Sequence, residues 1–455
     1  MKSCFTRRKF LKAAGGVAAW GTLSACTFLP KNPCAKQDVK ATAEQTAYLE
    51  VFDWGPGVTR SILTLDRAVT PESVKADFFS VKESKPSINF MTGEIFAVEC
   101  ERTVLDAYCC DETGQKTEAA SSQIALEMAC TPQEGYPVFA DMSWQSRLTE
   151  DYALTVTLAD ESELKSSDGA SIVALSISER IDWQDALIPE LDTIGLEGSF
   201  TSSEGRTYRY ASYEPAKDQK KHPLVVWLHG AGEGGTDIRM PVIGNRAVAL
   251  CQKEFQAVMG GAYVLIPQCP DFWLTYNENG DWQGNPGKDS VHLKSIEELI
   301  RNYAEQHEEI DAGRIYLAGC SNGGFMVMDL ILNYPDEYAA AVPCCEAFLD
   351  EAITDEKLEK VKDLPIWFVF AGTDPVVVPE NYERPTIERL KKIGASNVHV
   401  SEFEKIVDLS GRYTAADGTP YDYGGHSCWV HFFNNDCADE ENNNCWEWLA
   451  DQRKS

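Results

Sequence analysis

The chain has 455 residues, 44% of them hydrophobic and 10% aromatic, enough to bury a large core and too many for one ordinary domain. Its formal net charge is −30 with no basic stripe, which excludes the electrostatic footprint of a nucleic-acid-binding protein. Two domains behind a leader are the expected organisation.

Residues 1–25 carry basic residues and no acidic ones. Within them, Thr6-Arg7-Arg8-Lys9-Phe10-Leu11-Lys12 resembles the bacterial twin-arginine export signal. The Ala/Gly segment over residues 13–23 is too short to span a bilayer as a helix. It runs into Leu23-Ser24-Ala25-Cys26, which resembles a lipoprotein lipobox. That resemblance implies cleavage before Cys26, a diacylglycerol on its thiol, and an extracytoplasmic protein whose membrane contact is this lipid anchor alone. An ordinary export signal cut nearby, without lipid, is the alternative. Residues 26–45 are polar and Lys/Ala/Thr-rich and read as a tether.

Residues 46–185 form the first expected domain. Short alternating apolar runs recur at 48–52, 58–65, 95–108, 152–159 and 172–177, separated by turn formers such as Asp111-Glu112-Thr113-Gly114. Several short strands without convincing helices predict an antiparallel sandwich. Nothing in it reads as a catalytic constellation, so an accessory module is expected, with carbohydrate or polymer binding as the sharper idea.

Residues 190–455 have a different grammar. Apolar runs at 224–228, 262–267, 315–318, 339–342, 365–371 and 398–403 read as strands. Helical spacing through Ile296, Leu299, Ile300 and Tyr303, and again over 382–393, lies between them. This alternation predicts an α/β domain with a mostly parallel, doubly wound sheet.

The 315–318 strand ends in Gly319-Cys320-Ser321-Asn322-Gly323-Gly324, and a helical pattern follows at once. Such a strand–turn–helix lifts a serine Oγ off the sheet edge and points the first helical amides at the same spot. Ser321 is therefore the candidate nucleophile. A base and an orienting acid should follow in the order Asp, His. Asp374, in Ala371-Gly372-Thr373-Asp374-Pro375, sits just past a buried strand, where open α/β sheets carry their sites. Of the histidines downstream, His399 lies inside a strand and His431 in a packed segment. His426, in the glycine-hinged Tyr423-Gly424-Gly425-His426, can reach another loop and is the expected base. The oxyanion donors expected are the backbone N–H of Asn322 and, from His229-Gly230-Ala231-Gly232-Glu233, that of Ala231, with Gly232 second; each such donor lowers the barrier by about 3 kcal/mol. His229 is expected to be structural.

Cysteine arithmetic decides little. Of 15 cysteines, Cys4 and Cys26 lie in or at the leader. A bridge among Cys428, Cys437, Cys445 and the Cys344-Cys345 pair is open, with connectivity unreadable. No spacing makes a zinc site, since Cys109-Cys110 and Cys344-Cys345 are adjacent pairs, so no metal and no cofactor are expected. Cys320 is expected to be a small buried hydrophobe.

The motifs His229 to Gly234, Pro267-Gln268-Cys269-Pro270, Arg314 to Gly324, Gly372 to Pro375 and Gly425-His426-Ser427-Cys428-Trp429 together resemble the α/β-hydrolase esterases that include polyhydroxybutyrate depolymerases and feruloyl esterases. With the sandwich in front, the layout resembles bacterial esterases that carry an N-terminal immunoglobulin-like domain. The resemblance implies a serine carboxylesterase, working through an acyl-enzyme on a small or polymer-attached ester. The chain departs from many relatives at Asn322, where they have methionine, and in the long stretch 271–289. A prolyl-oligopeptidase-type peptidase and a non-catalytic binding protein on the same fold are the alternatives; residues 46–185 are too few for the propeller that accompanies the former. The aromatics of 271–289 are expected to fold over the site as a partial lid, with Trp273 and Trp282 as walls of the acyl or alcohol pocket. Packing of these aromatics against the sheet is the competing reading.

Overall fold

The computed structural model describes residues 38–275 and 288–454. The leader with Cys26, most of the tether, and Trp282 lie outside the described residues.

The front domain is a sandwich of a five-stranded sheet and a three-stranded one. The larger runs Ser171–Ile177, Asp38–Phe52, Gly55–Val69, Ser121–Met128, Val104–Cys110, and the smaller Glu94–Arg102, Phe79–Asn89, Ala153–Leu158. Two expectations need correction. Residues 38–45 are strand rather than tether: Ala41, Ala43 and Gln45 face inward, and Gln45 Oε1 accepts from the Ser61 hydroxyl at 2.7 Å. Small and polar inward residues gave this strand no apolar signature. The sandwich is also not wholly antiparallel, because Asp38–Phe52 pairs in parallel with Ser171–Ile177.

Between the two sheets lies a buried charge. The Glu83 carboxylate receives Arg102 Nη1 at 2.7 Å, the Tyr152 hydroxyl at 2.8 Å and the Gly135 N–H at 2.9 Å. Arg102 Nη2 also donates to the carbonyls of Val58 and Ala129. Removing one member strands the others without water, a cost of about 3–5 kcal/mol.

The second domain is one eight-stranded sheet in the order Gly195–Thr201, Thr207–Tyr213, Tyr263–Gln268, His222–Leu228, Ile310–Cys320, Ala340–Cys344, Ile366–Ala371, Val398–Phe403. The first two strands run antiparallel to their neighbours, and every later pairing is parallel. All residues of His222–Leu228 and Ile366–Ala371 are buried, as expected of strands covered on both faces. The helix Leu293–Gln306 and the helix Asn322–Asn333, buried from Asn322 to Leu332, supply part of that cover.

Residues 38–455 form a single compact unit. Arg246 pairs with Asp53, Arg239 Nη1 donates to Trp183 O at 2.6 Å, and Gln145 Nε2 donates to Pro270 O at 3.1 Å. The sandwich is thereby fastened to the loops at the carboxyl edge of the parallel strands.

Candidate active site

Ser321 sits between the Ile310–Cys320 strand and the Asn322–Asn333 helix at φ 55°, ψ −116°, a conformation an L-residue holds only when its surroundings impose it. The surroundings are visible in the glycines. A Cβ on Gly323 meets Leu228 O at 1.9 Å, one on Gly319 meets the same carbonyl at 2.6 Å, and one on Gly324 meets Cys344 O at 2.7 Å. The turn is wedged against both neighbouring strands, and only glycine fits at those three positions.

From this turn the Ser321 Oγ reaches His426 Nε2 at 3.0 Å, and His426 Nδ1 reaches Asp374 Oδ2 at 2.8 Å. The other Asp374 oxygen accepts the amides of Val376 and Val377 at 2.8 and 3.0 Å, so the carboxylate is held from both sides. His426 is carried by the turn Gly425–Ser427, which lies directly on the Asp374 loop: a Cβ on Gly425 meets Asp374 N at 2.7 Å. The imidazole side chain keeps 23% of its surface exposed while that of Asp374 keeps none. His399 and His431 are instead bound to Asp439 and Asp436, each at 2.6 Å.

The two expected oxyanion donors lie at the same edge. Leu228 pairs with Gly319, so the loop leaving that strand starts level with the turn. Ala231 opens the short 3-10 turn Ala231–Glu233, and Asn322 opens the long helix, positions where backbone N–H groups have no partner within the element. His229 is structural: its Nδ1 donates to Gly230 O at 2.6 Å, its Nε2 accepts the Cys269 N–H at 3.0 Å, and burial lowers its pKa to about 4.

One residue here, Glu233, and the side-chain role of Asn322 went unread in the sequence. Burial raises the Glu233 carboxyl to about 7, against the pull of the Gly230 and Glu233 amides and of His426, and its Oε2 has no hydrogen-bond partner. An acid inside a glycine-rich loop was the available signal. The Asn322 side chain accepts the Leu274 N–H at 2.9 Å, tying the segment after the Tyr263–Gln268 strand to the serine turn. Trp273 needs correction as a pocket wall: it is 0% exposed, and its indole N–H donates to His229 O at 3.0 Å. Its ring fills the space between His229 and His292, which is packing. Among the described residues every cysteine is a free thiol, and Cys320 is buried. Cys345, Asp374 and His426 lie close enough to share a metal ion, but there the His426 and Asp374 atoms already engage one another.

Residues 44–172 match the family described as the esterase Ig-like N-terminal domain, and residues 214–408 match the phospholipase/carboxylesterase family. The chain is similar to a solved thermostable esterase over 91% of its own length and 99% of that chain, at 25% identity and a TM-score of 0.67. It is also 28% identical over 126 residues to poly(3-hydroxyalkanoate) depolymerase C of Paucimonas lemoignei. That match spans 27% of each chain.

Proposed function

We propose, taking as premise that the chain belongs to the carboxylic-ester hydrolases, with an esterase Ig-like domain ahead of an α/β-hydrolase domain, that it hydrolyses esters through a Ser321–His426–Asp374 triad and an acyl-enzyme. The observation that carries this reading is the unbroken relay from Ser321 Oγ through both ring nitrogens to a buried carboxylate, on a strained turn. Asp374 fixes the tautomer: Nδ1–H donates to it, leaving the Nε2 lone pair for the serine proton. His426 takes that proton as Ser321 Oγ attacks the acyl carbon. The carbonyl oxygen gains negative charge and is met by the N–H groups of Asn322 and Ala231. His426 then returns the proton to the departing alcohol. A water enters and attacks the acyl carbon as it gives a proton to the same nitrogen; the acid leaves as the acyl–Oγ bond breaks and that proton returns to Ser321 Oγ.

The substrate class is a small or polymer-attached carboxylic ester. A polyester is one candidate, from the similarity to the depolymerase. The leader motifs support export and lipidation at Cys26, with the lipid as the only membrane contact; intact mass of the mature protein tests this, and an unlipidated N-terminus upstream of Cys26 rejects it. A serine peptidase is the second reading, since it uses the same relay. A panel of matched esters and amides on the purified protein separates the two. Ester turnover far above amide turnover, lost in Ser321→Ala, is expected; preference for the amide overturns the assignment.

A further inference from the structure

We propose that Cys269, Asp271 and His292 form a binding site for a divalent transition-metal ion of the zinc class, outside the Ser321 relay. The three residues come from the end of the Tyr263–Gln268 strand and the start of the Leu293–Gln306 helix, so their spacing in the chain carries no metal signature. In space, the thiol sulfur, a carboxylate oxygen and a ring nitrogen all lie within 4.8 Å of one another. Thiolate, imidazole and carboxylate together are the donor set that suits zinc-like ions.

The surroundings are those of a prepared site. Cys269 and His292 are fully buried, while the Asp271 side chain keeps 43% of its surface exposed and leaves an entry and a place for a water ligand. Tyr208 OH meets His292 Nδ1 at 2.7 Å, which fixes the ring and turns Nε2 toward Asp271 and Cys269. Asp271 Oδ1 accepts from the Cys269 thiol at 3.2 Å and from the Phe272 N–H at 2.8 Å. It also lies 2.7 Å from His292 Nε2, so the carboxylate oxygen faces both of the other donor atoms. Bonds of about 2.0–2.3 Å put tetrahedral donors roughly 3.4 Å apart, so the Cys269–Asp271 and Asp271–His292 separations need to change by less than about an ångström.

Binding balances simply. The Cys269 proton leaves to solvent, Asp271 binds as the carboxylate, His292 binds through the Nε2 lone pair with Nδ1–H donated to Tyr208, and water completes the shell. The ion fastens the segment 269–275, which carries Trp273 against His229 and Leu274 against Asn322. Its effect is on the stability of that segment rather than on ester cleavage.

The test is titration of the full chain with Co²⁺, read by the thiolate charge-transfer and tetrahedral ligand-field absorption, alongside Zn²⁺ dialysis with elemental analysis. One ion per chain is expected, with the charge-transfer band lost in Cys269→Ser and affinity weakened at least about 10-fold in Asp271→Asn. Both features persist in Ser321→Ala and in Cys345→Ala, and Zn²⁺ raises the melting temperature of the wild type and of these two variants but not of Cys269→Ser. If Cys269→Ser fails to fold, the half-exposed Asp271→Asn decides alone. Absence of stoichiometric binding by the wild type overturns the proposal. So does a band that survives Cys269→Ser, an affinity unchanged in Asp271→Asn, or a band lost in Cys345→Ala.

Discussion

The molecule holds two Asp–His pairs beside a potential nucleophile, and they are built inside out from one another. In Asp374–His426–Ser321 the carboxylate is sealed and the imidazole reaches solvent. In Asp271–His292–Cys269 the imidazole is sealed and the carboxylate reaches solvent. A general base must exchange protons with substrate and water, so only the first order suits turnover. The second pair also faces a thiol whose pKa burial pushes well above its ordinary value, and no glycine turn lifts that sulfur off the sheet edge. The same residue types thus give a relay in one place and a clamp in the other, and burial order decides which.

Substitutions sharpen this contrast. Ser321→Ala should lower kcat on the order of 10⁴-fold or more, with the fold intact by circular dichroism and melting. Asp374→Asn should lose on the order of 10³- to 10⁴-fold through the wrong tautomer, whereas Asp271→Asn should stay within about 3-fold of wild type. Equal losses in the two aspartate variants erase the distinction. Trp273→Phe removes the indole bond to His229 O at a fully buried position and should cost about 1–2 kcal/mol of stability, with relative kcat/KM across an acyl-length series unchanged. A shift in that series restores Trp273 as a pocket wall.

The smallest expected effect is a pH dependence. Glu233 has its folded pKa raised from the ordinary 4.5 to about 7. Folding therefore favours the protonated acid: its contribution is fully present below pH 4.5 and lost as pH rises through 7. Melting temperature should fall between those values more steeply in wild type than in Glu233→Gln. Parallel profiles remove Glu233 from the account.

Legibility followed burial and period. The strands of the second sheet were readable because residues such as those of 224–228 and 366–371 are apolar throughout, as double coverage demands. The meeting of Ser321, Asp374 and His426 was readable because each stands beside glycines or at a strand end. Phe79–Asn89 was missed because its fully buried Glu83 is neutralised by Arg102, a partner that only the fold brings near. Ser121–Met128 was missed because Ala, Leu, Glu and Met favour helix, and sheet pairing overrides that preference. The Trp273 expectation failed because an aromatic in a polar stretch signals burial without saying against what. The Cys269 cluster was unreadable because His292 lies far along the chain from the strand end it joins.

The central claim is that Ser321 is the residue that becomes acylated. Reaction of the purified protein with a fluorophosphonate, followed by peptide mass spectrometry, tests it most directly. One adduct per chain on the peptide holding Ser321, absent in Ser321→Ala and slowed by orders of magnitude in His426→Ala, is the predicted result. An adduct on another residue, or an ester-hydrolysing protein that takes no label at Ser321, contradicts it.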